Sequence, residues 1–416
     1  MATERVDTLI IGAGQAGLAM SHMLSRRGCG HLVVERHRIA ERWRSERWDG
    51  LRFQFPNWSV QLPDFAFAHR DADAFAASPD IVDFLCAYAD FAKAPVRCGV
   101  DVTALRRDGA GFVAETSTGP IASSNVVIAT GPYQRAITPP LAKDVSSVFQ
   151  VHASRYTNPD QLPPGAVLVV GSGASGAQIA EELARAGRRV FISVGRHKRM
   201  PRRYRGRDLI WWLSELGLDQ TPVEKRGPDR ALPLITGAYG GHTIDFRDYA
   251  AQGMTLLGHV TAARDGAMDF AADVAATLAA GDTTYLAFLD LVDSHIERSG
   301  LDMPAEPDAR VFRADPPCVT APLTHLTFAD AGISAIIWAT GYGVDFGWIG
   351  LPVFDGRGEP VHRRGVTDIP GLYFLGLQWL SRMNSSFLSG VGEDAAFLAG
   401  HISMRQKANS LGVTAA

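Results

Sequence analysis

Short apolar runs, glycine turns and amphipathic segments follow one another in the same order twice along this chain. Residues 6–11 (VDTLII) form a mostly apolar stretch, which predicts a buried parallel strand. Gly12-Ala13-Gly14-Gln15-Ala16-Gly17 follows at once. Residues 18–24 carry apolar side chains at helical spacing, and Gly28 and Gly30 end that helix. Residues 31–34 are the next apolar strand and run into Glu35. The order recurs in AVLVV at 166–170, in Gly171-Ser172-Gly173-Ala174-Ser175-Gly176, in a helix over about 177–186 ended by Gly187, and in a strand over 189–194. The copies lie about 160 residues apart, which marks a duplicated domain and not a short-period solenoid.

Two further signals match each other. Residues 125–129 lead into Thr130-Gly131, and residues 334–339 lead into Thr340-Gly341-Tyr342, so each copy has another apolar strand ending in Ala-Thr-Gly. Pro139-Pro140 and Pro163-Pro164 mark a linker into the second copy. Residues 211–216, 271–280 and 286–298 read as helices, 302–317 as a Pro- and Asp-rich loop, and 393–406 as a terminal helix. The pattern predicts an α/β chain of two Rossmann-like three-layer dinucleotide-binding domains, one inserted into the other. Residues 1–155 and 343–416 would form the outer domain. Residues 160–340 would form the inner one, with a helical insertion at about 205–320.

Each glycine of Gly-x-Gly-x-x-Gly has its own task. The first makes the tight strand-to-helix turn, the second lets the backbone approach a pyrophosphate, and the third lets helix and strand pack closely. Free N–H groups at the helix start hold the phosphate charge. Glu35 lies about 20 residues past the first motif, where a carboxylate accepts hydrogen bonds from ribose hydroxyls and would repel a 2′-phosphate. The second copy has no acid there. Its strand runs into Gly195-Arg196-His197-Lys198-Arg199 and then Pro201-Arg202-Arg203-Tyr204-Arg205. A guanidinium can grip a 2′-phosphate bidentately. The first site therefore suits FAD and the second NADPH, with Arg196 the leading candidate and His197 beside it.

Composition narrows the class. The formal net charge is −3, which gives no electrostatic reason to bind nucleic acid or an anionic membrane. No apolar run reaches the ~18 residues needed to span a bilayer. The charged first residues lead straight into a strand, so a cytoplasmic protein is expected. Cys29, Cys86, Cys98 and Cys318 form no Cys-x-x-Cys pair and no zinc spacing, so neither a metal nor a redox dithiol is expected. There is no Gly-x-Ser-x-Gly, no His-Glu-x-x-His and no paired acid motif to support hydrolysis.

With these motifs the sequence resembles the class B flavoprotein monooxygenases, which include flavin-containing monooxygenases, the indole-pyruvate monooxygenase group and Baeyer–Villiger enzymes. The resemblance covers nearly the whole chain. It rests on the paired motifs, on Ala339-Thr340-Gly341-Tyr342, and on His152-Ala153-Ser154-Arg155-Tyr156, where a histidine precedes an aromatic by four residues. The bacterial flavin-containing-monooxygenase-like branch is nearest, through residues 170–176 and Gly390-Val391-Gly392-Glu393-Asp394-Ala395. The chain departs from the family pattern at Ser146 and Val148, where Phe and Gly are usual, at Glu41-Arg42 in place of Gly-Gly, and at Gln54 in place of Asn.

The resemblance implies that NADPH reduces the flavin and that oxygen adds at C4a to give a (hydro)peroxyflavin. One oxygen atom then passes to a small organic substrate: a sulfide, amine, indole, ketone or 2-oxo acid. Substrate and O2 are the partners implied, with oligomeric state open to a homodimer. Trp43, Trp48, Phe53, Phe55 and Trp58 would wall the reactive centre, with Gln54 and Asn57 as catalytic amide donors. Ordinary core packing is the competing reading for each aromatic. The flavin contacts implied are Gly12, Gly14, Gln15, Ala16, Gly17, Glu35, Arg36, Trp43, Trp48, Val102, Ala129, Thr130, Gly131, Gly376 and Gly392. Gly376 would let a strand end pass close to the ring, and Gly392 would open a helix aimed at it. The NADPH contacts implied are Gly171, Ser172, Gly173, Ala174, Ser175, Gly176, Arg196, His197, Thr340, Gly341 and Tyr342. His242, in a glycine-rich loop, is either a substrate or proton-relay residue or a structural one. An FAD-dependent NADPH oxidase or reductase without oxygen insertion, and a redox sensor, are the alternative functions.

Overall fold

Apolar, largely β-branched strands need cover on both faces, and the computed structural model gives it to them in two sheets. It describes residues 3–227 and 233–410. The first sheet has seven strands in the order Val96–Cys98, His31–Glu35, Glu4–Ile11, Ile121–Ile128, Gly111–Thr116 and Val102–Asp108, with Leu372–Phe374 also paired to Ile121–Ile128. Ile11 lies beside Val34 on one side and Ile128 on the other, and Ile128 lies beside Phe374. These parallel strands thus end in line, and the turns that follow them share one edge. Helices Gln15–Ser25, Ser78–Phe91 and Val391–Ser410 contribute apolar residues to the core of this sheet.

The second sheet is wholly parallel, in the order Phe149–His152, Ile333–Trp338, Ala166–Val170, Val190–Ser193 and Thr255–Leu257. Every residue of Ala166–Val170 is buried, as a central strand covered on both faces requires. All five strands fall in sequence between Ile121–Ile128 and Leu372–Phe374 of the first sheet. The two chain crossings meet: Arg135–Ala136 pairs antiparallel with Tyr342–Gly343. Gln134 ties them further. Its Nε2 donates to Thr130 Oγ1 at 2.9 Å, and its Oε1 accepts from Asp345 N at 2.8 Å.

The glycine turns fall where the sequence places them, and each helix begins earlier than expected. Gln15–Ser25 and Ala174–Arg185 start inside their motifs, because the motif amides are already helical. The antiparallel pair Val102–Asp108 and Gly111–Thr116 was not expected as strands; its exposed face is polar and hides the period-two signal. The larger difference is at 271–298. The two helices expected there are one, Val274–Ser299, closed by Gly300 at φ +67°. The polar run Gly281-Asp282-Thr283-Thr284 looks like a break, but its groups are used inside the helix. Thr283 Oγ1 donates to Ala279 O at 2.9 Å and Thr284 Oγ1 to Gly281 O at 2.7 Å. Gly281 packs against His197, whose Nε2 would lie 2.8 Å from a Cβ there. Among the described residues no helix is long and apolar enough to cross a membrane.

Candidate functional site

Both glycine motifs are built the same way. Gly12 has φ +109° and a Cβ there would lie 2.7 Å from Ala129 O; Gly171 has φ +104° and would meet Ala339 O at 2.5 Å. A Cβ on Gly17 would be 1.8 Å from Gly12 O, and one on Gly176 would be 1.9 Å from Gly171 O. Only glycine fits these four positions. The middle glycines differ: nothing lies within 4 Å of a Cβ on Gly14 or Gly173. No protein atom demands glycine there, and the space in front of each turn is open. The first helical bonds run from Leu18 N to Gly14 O and from Ala177 N to Gly173 O, so the amides of residues 14–17 and 173–176 have no partner within their helix, the place where an anion can bind.

Both turns open into one cleft of about 840 Å³. On the first side it is lined by Gly12, Gly14, Gln15, Ala16, Glu35, Arg36, Val102, Ala129, Thr130, Gly131 and Gly376. Glu35 accepts from Ala13 N at 2.9 Å and from His37 N at 3.0 Å, which fixes its carboxylate at the strand end. On the second side Gly173, Ala174, Ser175, Arg196, His197, Gly341 and Tyr342 line the same space. His197 is buried. Its Nδ1 is 3.0 Å from Gly195 O and its ring meets Phe246 edge-on, and burial holds its pKa below the usual histidine value. His152 also lines the cleft, with Nδ1 accepting from Ser154 N at 3.1 Å and Nε2 facing Gly341 O at 3.2 Å. Burial likewise lowers its pKa, so its ring is neutral near pH 7 and donates from Nε2.

Seven expected site residues do not line this cleft. Gly17, Gly171 and Gly176 act through backbone packing, as above. Ser172 Oγ accepts from Gly195 N at 2.9 Å, which holds the loop that carries Arg196. Thr340 Oγ1 donates to Ile137 O across the paired crossings. Gly392 faces Pro63, with a Cβ position 2.6 Å from Pro63 Cγ, so the start of the terminal helix docks on a loop, not on the cleft. Asn57 is buried in a short 3₁₀ turn, where its Nδ2 donates to Asp71 O at 2.9 Å. That contact fixes a loop and keeps the Asn57 amide out of the cleft. Trp58 is 37% exposed and also lies outside it.

The remaining aromatics form a connected wall. Trp43 meets Phe53 at 5.7 Å, Phe53 meets Phe55 at 5.3 Å, and Phe55 meets Phe387 at 4.9 Å, all near edge-on. Trp48 lines the cleft while packing into the second sheet's core. Gln54 sits in this wall, with Nε2 3.3 Å from Ile235 O. Its backbone carbonyl accepts from Arg202 Nη1 at 2.7 Å. Phe387 and Gln178, both at the cleft, were not expected. Phe387 follows Ser386, whose carbonyl accepts from Gln15 Nε2 at 2.6 Å; no local pattern signals that contact across the chain.

The basic run after Val190–Ser193 divides sharply. Arg196 is exposed and lines the cleft. Arg199 turns inward, paired with Asp245 at 2.7 Å and Asp282 at 2.6 Å. Arg202 is 2% exposed and pairs with Asp208. Arg205 pairs with Asp293 at 2.7 Å. His242 has a partner after all, Glu181 Oε2 at 3.2 Å.

Residues 9–214 match the family model described as pyridine nucleotide-disulphide oxidoreductase. An uncharacterized CzcO-like oxidoreductase of Geobacillus kaustophilus is 34% identical over 404 residues, covering 95% of this chain and 98% of that one. The chain belongs to the CzcO-like oxidoreductases. Over a shorter stretch, 42% of this chain and 44% of the relative, it is 34% identical to the probable indole-3-pyruvate monooxygenase YUCCA1 of Arabidopsis thaliana. Among solved structures, a flavin-containing monooxygenase from Stenotrophomonas maltophilia superposes with a TM-score of 0.66 at 17% identity, covering 97% and 99% of the two chains. The bacillithiol disulfide reductase Bdr from Staphylococcus aureus does so with a TM-score of 0.62 at 14% identity, with the same coverage. These two show a shared fold. The resemblance to the class B flavoprotein monooxygenases is matched by relatives over part of the chain and by the shared fold, and this CzcO-like chain is an oxidoreductase.

Proposed function

We propose that the protein is an FAD-dependent, NADPH-consuming monooxygenase that places one oxygen atom on a small organic substrate. The observation that carries this reading is the single cleft into which both glycine turns and the aromatic wall open. The residues suit the cofactors. Gly12 to Gly17 and Glu35 would hold the FAD diphosphate and ribose, in an outer domain of residues 1–155 and 343–416. Gly173 to Ser175 and Arg196 would hold NADPH in an inserted domain of residues 160–340. Bound flavin would supply the redox chemistry between NADPH and oxygen.

The chain's own part is to orient, to exclude water and to supply hydrogen bonds. Trp43, Phe53, Phe55 and Phe387 keep one end of the cleft apolar, which favours uncharged substrates such as sulfides, indoles or ketones. Gln54 Nε2 has a second hydrogen beyond the one aimed at Ile235 O, and an amide does not titrate. Arg202 holds the Gln54 backbone in place. No cysteine lies among the cleft-lining residues, so a dithiol relay has no groups to use there.

The test is stoichiometry. With the flavin-loaded protein and NADPH, an accepted substrate should gain an atom from isotope-labelled O2, and hydrogen peroxide release should fall as substrate is added. Peroxide release equal to NADPH consumed, whatever the substrate class, would instead identify an oxidase.

A further inference from the structure

Gln178 sits in helix Ala174–Arg185, one turn past the Gly173 cap. The residue is 3% exposed and lines the cleft. Neither its Nε2 nor its Oε1 has a hydrogen-bond partner among the described residues. A buried amide with both ends unpaired is rare in native proteins and calls for a use.

Its position indicates which part of a ligand it meets. Side chains on a helix lean toward its N-terminus, so Gln178 leans back toward Ala174 and Ser175, where the diphosphate would sit. Ala166–Val170 has Val190–Ser193 on one side and Ile333–Trp338 on the other, and a dinucleotide lies across that switch point. The Val190–Ser193 side belongs to the adenosine half, since Ser172 fixes Gly195 there and Arg196 follows. The other half must extend over the end of Ile333–Trp338, past His152 and Gly341, toward Trp48. Trp48 shares a packed cluster with Ala177, the neighbour of Gln178.

We propose that Gln178 recognises the carboxamide of the nicotinamide ring, with Nε2 donating to its oxygen and Oε1 accepting from its NH2. A side-chain amide offers a donor and an acceptor side by side, and another amide satisfies both. A diphosphate would occupy only the donor. The inference rests on the reading that the second site takes NADPH.

Equilibrium binding to the oxidised, flavin-loaded protein tests it, using NADP⁺, its 3-acetylpyridine analogue (methyl in place of NH2) and 2′,5′-ADP. Wild type should bind NADP⁺ about 5- to 50-fold tighter than the analogue. Gln178→Leu should weaken NADP⁺ about 10-fold, bring the two dinucleotides within about twofold, and leave 2′,5′-ADP unchanged. Gln178→Glu, nearly isosteric, keeps the acceptor and loses the donor, so it should retain part of the discrimination. Discrimination that survives Gln178→Leu, or a wild type that does not discriminate, overturns the assignment while leaving NADPH binding intact. A wild type that binds neither NADP⁺ nor 2′,5′-ADP would overturn the NADPH reading and this inference with it. If Gln178→Leu does not fold, the wild-type comparison and Gln178→Glu still decide.

Discussion

Alanine at Gly14 separates what a ligand requires from what the fold requires. Gly14 has φ −86° and ψ −172°, open to any residue, and no heavy atom lies within 4 Å of its Cβ position. Removing a glycine from the unfolded chain is worth about 0.4–1 kcal/mol. Alanine is a poorer helix cap by a similar amount. The two offset each other, so the flavin-free protein should keep its stability to within about 1 kcal/mol. A diphosphate lying on the Gly14 amide would meet the new methyl directly. A cost of about 2.7 kcal/mol, inside the ~1–3 kcal/mol range for overpacking, is about 100-fold in affinity. With flavin at about 100 times the wild-type dissociation constant, binding stabilises the fold by about 2.7 kcal/mol; after a 100-fold loss the same flavin contributes about 0.4 kcal/mol. Thermal melts of flavin-free and reconstituted protein, with a flavin titration, read both quantities. Gly17→Ala should do the reverse and destabilise the flavin-free protein, because its Cβ would lie 1.8 Å from Gly12 O. An unchanged flavin affinity in Gly14→Ala, or a flavin-free melt as low as that of Gly17→Ala, would refute the reasoning.

Three further outcomes are expected. Arg196→Ala should weaken NADPH about 10-fold or more, the worth of charge-assisted hydrogen bonds, and leave NADH alone; equal loss for both would show that no 2′-phosphate is gripped there. Arg202→Met leaves Asp208, 9% exposed on its side chain, without its counter-charge, and should cost about 3–5 kcal/mol in denaturant unfolding, most of it recovered by adding Asp208→Leu. His31, His152 and His197 all have pKa values held below the unfolded value of 6.5, mainly by burial. Below that pH the unfolded chain takes up protons that the folded one refuses, so stability should be full above about 6.5 and fall as pH drops toward 5, with a shallower fall in His197→Asn; melts that rise on acidification would contradict this.

The nucleotide turns were legible because their information is local. Gly12 and Gly171 need positive φ, and each follows directly on a run of buried apolar residues, Leu9–Ile11 and Ala166–Val170, so a few adjacent residues carry the whole signal. The basic run was legible only as charge. Arg196, Arg199, Arg202 and Arg205 look alike in sequence; Arg199 and Arg202 are drawn inward by Asp245, Asp282 and Asp208, and Arg205 is held half-buried by Asp293, partners that a run of basic residues does not reveal. The same partners explain the misread helix at 274–299: Asp282 looked like a break and is an ion-pair partner. Asn57 and Gln54 were grouped by proximity in sequence, but a 3₁₀ turn at Asn57–Ser59 rotates the first out of the cleft. Gln178 gave no signal at all, since a glutamine in a helix is ordinary until its burial is known.

The ladder formed by Arg135–Ala136 and Tyr342–Gly343 has a practical consequence for engineering. Chain departure and chain return occupy adjacent rungs, with Ile137 N bonded to Gly341 O at 3.0 Å. A segment whose ends are already neighbours can be excised and its stumps rejoined by a short turn, without stretching the host sheet. The shortened polypeptide would retain Gly12, Glu35 and the strands of the first sheet, and would offer a miniature scaffold whose colour on purification reports directly on the outer module.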